Sequence, residues 1–92
     1  MDISELKQKA NLLDPVLRIG KNGMNDSIYQ EIDKLLRKRK LIKIKLLNNS
    51  PVEDVDELII TVVEKTNSVL VSKVGNVFTI YRERTPRGEP RS

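Results

Sequence analysis

The chain has 92 residues, with 17 Lys and Arg against 13 Asp and Glu, a net charge of +4, 38% apolar residues, and neither cysteine nor histidine. A chain of this length buries roughly two-thirds of its unfolded surface, enough for one core. Without cysteine or histidine there are no disulfides, no thiolate chemistry, no His–Cys metal site and no imidazole base near neutral pH.

The elements follow in chain order. Residues 4–12 read as a helix, with Ser4 as N-cap and Leu6, Ala10 and Leu13 near one face. Pro15 stops it. Val16-Leu17-Arg18-Ile19 is a short strand with Leu17 and Ile19 on one side and Val16 and Arg18 on the other. Gly20-Lys21-Asn22-Gly23 then forms a GxxG loop. Two glycines bracketing a cation, between a strand and a helix start, suit close contact with a sugar-phosphate backbone. Glycine admits tight turns and near approach, and a helix start offers unpaired N–H groups.

Asn25 caps the second helix, with Asp26 in its first turn. Ile28, Ile32, Leu35 and Leu36 make one apolar stripe, and Lys34, Arg37, Lys38 and Arg39 close the helix at its negative end. Leu41 to Leu47 alternates, so Ile42, Ile44 and Leu46 point inward and Lys43 and Lys45 outward. Asn48-Asn49-Ser50-Pro51 is a loop. Residues 53–66 read as a third helix with its acids crowded into the first turn; its β-branched content leaves a strand over 58–63 as the competing reading. Ser68–Val74 and Val77–Tyr81 are strands joined by Gly75-Asn76, a two-residue hairpin turn. Residues 83–92, with two prolines, a glycine and three arginines, read as a flexible basic tail after a single domain over 1–82.

The order α-β-α-β-α-β-β gives an α/β fold with a four-stranded mixed sheet. Arg18, Lys43, Lys45, Thr79 and Tyr81 make the outer set polar. The expectation is therefore a compact open-faced sandwich with helices mainly on one face. The N-terminus lacks a basic region followed by an apolar stretch, which reads as no signal peptide and a cytoplasmic location. No apolar run approaches the ~20 residues of a membrane helix.

Charge is segregated along the chain. Residues 34–52 carry seven bases and no acid, whereas residues 53–64 carry five acids and no base. Such a field has a direction and steers an anionic partner. The catalytic inventory is poor: Asp54, Asp56 and Glu57 sit where helix-capping acids belong, and no serine has a histidine partner. The glycine loop is not a Walker loop, which needs a longer span ending in Gly-Lys-Ser/Thr, because Met24 follows Gly23. The expectation is a binding protein without cofactor or metal. The nucleic-acid-contacting set would be Arg18, Gly20, Lys21, Asn22, Gly23, Lys34, Arg37, Lys38, Lys43, Lys45, Tyr81 and Arg82. Lysine and arginine would neutralise phosphates, and Tyr81 would stack on an unpaired base.

The run from Leu13 through Gly20-Lys21-Asn22-Gly23 to Met24, then Leu41-Ile42-Lys43-Ile44-Lys45, then Val74-Gly75-Asn76 to Tyr81-Arg82, resembles the YhbY family of CRM domains. CRM stands for chloroplast RNA splicing and ribosome maturation. The resemblance covers residues 4–82. Lys73 departs from it, standing where an apolar residue is expected at a strand end. The resemblance implies a fold similar to the C-terminal domain of translation initiation factor three. It also implies RNA as partner, in particular ribosomal RNA or precursors of the large ribosomal subunit. Two alternatives differ in class. One is an Alba-type chromatin protein, separable by competition between duplex DNA and structured RNA. The other is a protein-interaction module in which the acidic 53–64 helix docks a ribosomal protein, separable by a pull-down that survives nuclease.

Overall fold

The computed structural model describes residues 3–83. Most of the expected basic tail, residues 84–92, lies outside the described residues. Helix α1 spans Ile3–Leu12, β1 Leu17–Ile19, α2 Asp26–Arg39, β2 Leu41–Leu46, α3 Val55–Thr66, β3 Val69–Val74 and β4 Val77–Tyr81. The four strands form one mixed sheet in the order β1-β2-β4-β3. β1 runs parallel to β2, while β4 is antiparallel to both β2 and β3. Among the described residues, no helix is long and apolar enough to cross a membrane.

The helices start where local chemistry directs. Asn25 accepts the Ile28 N–H on its side-chain oxygen at 3.0 Å, and Asp54 accepts the Glu57 N–H at 3.2 Å. Each cap satisfies one otherwise unpaired donor of the first turn. The cap at Asp54 and the row Leu58, Ile59, Val62 on one buried face settle residues 58–63 as helix. Tertiary packing here outweighs the modest reluctance of β-branched residues to enter helices.

One side of the sheet carries the main core. Ile19, Ile42, Ile44, Leu46, Phe78 and Ile80 pack beneath Ile32 and Leu36 of α2 and Leu58, Ile59 and Val62 of α3. The other side is only partly open. Leu6 and Ala10 of α1 bury against Val71, with Leu41 and Tyr81 packed alongside. An amphipathic stripe needs an apolar counterpart, and this end of the second face supplies one. Thr79, expected to face outward, is consequently 1% exposed, and its hydroxyl has no hydrogen-bond partner among the described residues.

The hairpin contains a bulge. Leu70 pairs with Ile80 but Ser72 pairs with Thr79, leaving Val71 as the extra residue. An extra residue reverses the facing of the residues after it. Lys73 thereby reaches α3 and pairs with Asp56 at 3.1 Å. The polar residue at that strand position is thus accommodated as an ion pair with the helix above it.

Arg82, placed by the sequence reading among the RNA contacts, has a different role. It is 8% exposed. One guanidinium nitrogen donates to Asp33 Oδ1 at 2.7 Å and to the Thr66 carbonyl at 2.9 Å; the other donates to the Asp33 carbonyl at 3.1 Å. Its backbone N–H donates to the Lys40 carbonyl at 2.8 Å. The residue ties the end of β4 to both α2 and α3, and its cation is committed to Asp33. A lysine donates from a single nitrogen and cannot reproduce this two-nitrogen fork. Arg82→Lys is therefore expected to lower stability by about 2 kcal/mol through lost charge-assisted bonds and an orphaned carbonyl, read as a fall in the urea midpoint at unchanged slope.

Candidate nucleic-acid interface

The glycine loop is a tight turn, with the Gly23 N–H donating to the Gly20 carbonyl at 2.9 Å. It sits between the end of β1 and the capped start of α2, so the α2 N-terminal N–H groups lie beside it. Lys21 and Asn22 at its tip are exposed. The two glycines do different jobs. Gly23 is buried with φ +65°, and a Cβ there would meet Pro51 Cγ at 3.1 Å. Gly20 has an ordinary backbone, and a Cβ there would make only van der Waals contact with Leu47 Cδ1 and Asn49 Oδ1 at 3.6 and 3.7 Å. Internal structure therefore requires glycine at 23 and not at 20.

Parallel pairing brings a second loop against the first. The Leu47 N–H donates to the Ile19 carbonyl at 2.8 Å, so residues 47–51 run beside Gly20–Gly23. Within this loop the Ser50 N–H donates to the Leu47 carbonyl, and the Val52 N–H to Ser50 Oγ. Asn48 and Asn49 are exposed at the same edge. They lie almost thirty residues from the glycines, and only the β1–β2 register joins them, so sequence spacing does not connect them to the turn.

Arg18 stands directly opposite Lys45 on neighbouring strands. Lys43 lies two residues along β2, and side chains two apart share a face. Arg18 and Lys45 are exposed and Lys43 is half-buried. These three cations form a stripe that leads to the glycine loop along the part of this face that α1 does not cover. Like charges on adjacent strands repel, so the stripe costs stability unless an anion screens it.

Lys34, Arg37 and Lys38 are not part of that stripe. They are exposed on α2, which covers the opposite face of the sheet. The helix also carries them about 12–18 Å along its axis from its first residue, at 1.5 Å rise per residue. Arg37 makes an ion pair with Asp33 at 3.1 Å one helical turn away. Tyr81 is half-buried against α1, and its hydroxyl donates to Glu83 Oε1 at 2.7 Å. That hydrogen bond, with some desolvation and the nearby negative charge, raises the phenol above its ordinary value of 10.0. Glu53, Asp54 and, from the first turn of α3, Glu57 line an open groove of about 500 Å³ with Met24, Tyr29 and Val52. Asp54 is engaged there as the helix cap. Among the described residues, no three acidic side chains cluster to hold a metal ion.

Residues 1–82 match the model of the CRS1 / YhbY (CRM) domain. The Bacillus subtilis protein named Probable RNA-binding protein YqeI is 36% identical over 78 residues, which is 85% of this chain and 80% of that one. A relative from Methanocaldococcus jannaschii, also named as a probable RNA-binding protein, is 35% identical over 80 residues, covering 86% of this chain and 59% of its own length. The solution structure of the Staphylococcus aureus protein SAV1595, described as a candidate RNA binder, superposes with a TM-score of 0.75 at 38% identity. That match covers 92% of this chain and 88% of the other.

The asymmetry between the glycines is testable in the free protein. Gly23→Ala should lower stability by about 1–3 kcal/mol, since it forces a side chain into a left-handed conformation against Pro51. Gly20→Ala should leave the melting temperature nearly unchanged. Thermal unfolding followed by circular dichroism separates them, and equal losses would contradict the assignment.

Proposed function

The chain belongs to the CRS1/YhbY (CRM) domain family, and on that premise we propose that it is an RNA-binding protein that acts by docking rather than by chemistry. The observation that carries this reading is the Arg18–Lys43–Lys45 stripe running into a glycine turn whose first glycine has no internal need to be glycine. Gly20 leaves room for a ribose-phosphate backbone to approach. Lys21 and the α2 N-terminal N–H groups offer positive charge at the point of approach. The strand cations then neutralise successive phosphates and release their counterions. A KH-type GxxG loop clamps nucleotides by the same physics.

Ribosomal RNA in precursors of the large subunit is the target class we favour, with the protein serving as a cytoplasmic assembly cofactor. The RNA-binding names of the relatives support the partner, and the family resemblance supports the ribosomal setting. Arg82 is left out of the contact set because its guanidinium is buried on Asp33. Arg18, Gly20, Lys21, Asn22, Lys43 and Lys45 form the principal surface. Gly23 shapes the turn, and Lys34, Arg37 and Lys38 add long-range attraction from the other side.

Crosslinking in cell lysate followed by sequencing of bound RNA tests the target. For the recovered RNA, affinity should fall by on the order of tenfold or more between 50 and 200 mM salt. Lys43→Glu with Lys45→Glu should weaken binding while retaining cooperative melting, because neither side chain serves the main core. Gly20→Asp should weaken it further than Lys21→Ala, which removes only about one unit of salt slope. A flat salt response, or wild-type affinity in folded Gly20→Asp protein, would overturn the reading.

A further inference from the structure

At the end of the sheet away from the glycine loop lies a groove of about 650 Å³ between the C-terminal half of α1 and the start of β2. This volume is within the ~300–1,000 Å³ typical of small-ligand sites. Its apolar surface includes Leu12, Leu41 and Tyr81, and its charged lining is Lys9, Arg39 and Lys40. Among the described residues no acid lines it; Glu83, two residues beyond Tyr81, accepts the Tyr81 hydroxyl. Leu12, one of its apolar lining residues, is 86% exposed.

Lys40 has a conformation that needs a reason. It ends α2 with φ 66° and ψ −40°, outside the ordinary left-handed basin. The other helix that ends on positive φ does so with Asn67 at φ 59°, ψ 41°. Asparagine enters positive φ several-fold more readily than lysine, and glycine is the usual solution at such a terminus. The fold therefore keeps a cation in a strained backbone conformation at the rim of the groove, where glycine or asparagine would relieve the backbone.

Leu41 and Tyr81 share their sheet face with Lys43, Lys45 and Arg18 by strand alternation and register. From Leu41 to Leu46 β2 extends about 17 Å at 3.3 Å per residue. The groove and the glycine loop thus lie at two ends of one cationic track. We propose that the groove holds an unpaired nucleotide of the RNA strand that runs along this track, its base against Leu12, Leu41 and the Tyr81 ring. Lys9, Arg39 and Lys40 hold the flanking phosphates. This inference rests on the RNA-binding reading above and adds a second contact point to it. Charge complementarity selects the occupant: the rim is cationic, so the partner is an anion with an apolar face. The chain's own residues 84–92 carry three arginines and one glutamate and match the rim in sign.

The test uses the full chain, a twelve-residue uridine oligonucleotide and intrinsic fluorescence. The protein has two tyrosines and no tryptophan, so Tyr29→Phe leaves Tyr81 as the only emitter. Uridine oligonucleotide binding, followed independently by anisotropy, should quench Tyr81, and an abasic oligonucleotide of equal length should not. Lys40→Gly should leave the melting temperature unchanged or raised, yet lower affinity on the order of fivefold at 0.1 M salt and reduce the salt slope by about one. Leu12→Ala should weaken binding with the slope unchanged. Unquenched Tyr81 in the bound complex, failure of the oligonucleotide to bind, or unaltered affinity in Lys40→Gly protein would each overturn the groove. Quenching by poly-glutamate and not by the oligonucleotide would also overturn it, in favour of an acidic peptide. Loss of the groove effects with the Gly20→Asp effect intact removes this inference alone; absence of any RNA binding removes the function proposed above.

Discussion

Strand β2 sets the geometry of both surfaces. It is the only strand hydrogen-bonded to both a parallel and an antiparallel neighbour among the described residues, and every one of its side chains is assigned by alternation. Ile42, Ile44 and Leu46 are buried beneath α2 and α3, while Lys43 and Lys45 lie on the other side. A slip of one residue would put both lysines under the helices and the three apolar side chains on the face beside Arg18. Burying unpaired ammonium groups costs several kcal/mol each, so the core itself enforces the register. The same register places Arg18 opposite Lys45 and carries both toward the glycine turn. Core packing and cation placement are therefore one constraint expressed on two sides of the sheet.

The two ends of that sheet are fastened differently. At one end, backbone hydrogen bonds join Ile19 to Leu47 and Asn76 to Leu46, leaving two loops side by side with their tips exposed. At the other, Arg82 collects acceptors from α2 and α3 onto the end of β4. The Thr66 carbonyl belongs to the last turn of α3, where partial negative charge favours a cation. Thr66 is itself fixed, its hydroxyl bonded to the Val62 carbonyl at 2.7 Å and to Ser68 Oγ at 2.8 Å. An Arg here satisfies buried acceptors in three directions, which makes it a structural residue despite its place in a basic motif.

Much of this architecture is legible from local pattern. The alternation of residues 41–47, the apolar stripe from Ile28 to Leu36, the caps at Asn25 and Asp54 and the Gly75-Asn76 turn each follow from short-range spacing. The mixed four-stranded sheet and the membership of the glycine loop in a strand–turn–helix unit follow from the same signals. The features that stayed hidden depend on long-range partners. Arg82 reads as a free cation because Asp33 is 49 residues away. Lys73 reads as an anomaly because neither the bulge nor its pairing with Asp56 has a local signal. The face taken by α1 depends on Val71 and Tyr81, which only the folded hairpin brings under Leu6 and Ala10. Lys34 and Lys43 are neighbours in charge along the chain, yet the sheet separates them.

The structure breaks local rules at two places on the same face. Thr79 buries a hydroxyl without a partner, and Lys40 holds a lysine at positive φ. The first is a consequence of packing: a central strand favours a β-branched residue, and α1 closes over that side. Valine would fill nearly the same space without the hydroxyl, and nothing in the structure explains the oxygen. The second differs because it lies at the surface, where no packing demands a long side chain and where glycine or asparagine would relieve the backbone. Strain retained at an exposed position cannot be credited to the core. The negative end of α2 favours a cation there but not this backbone conformation, and it is this mismatch at a solvent-facing helix terminus on which the proposed phosphate contact of Lys40 rests.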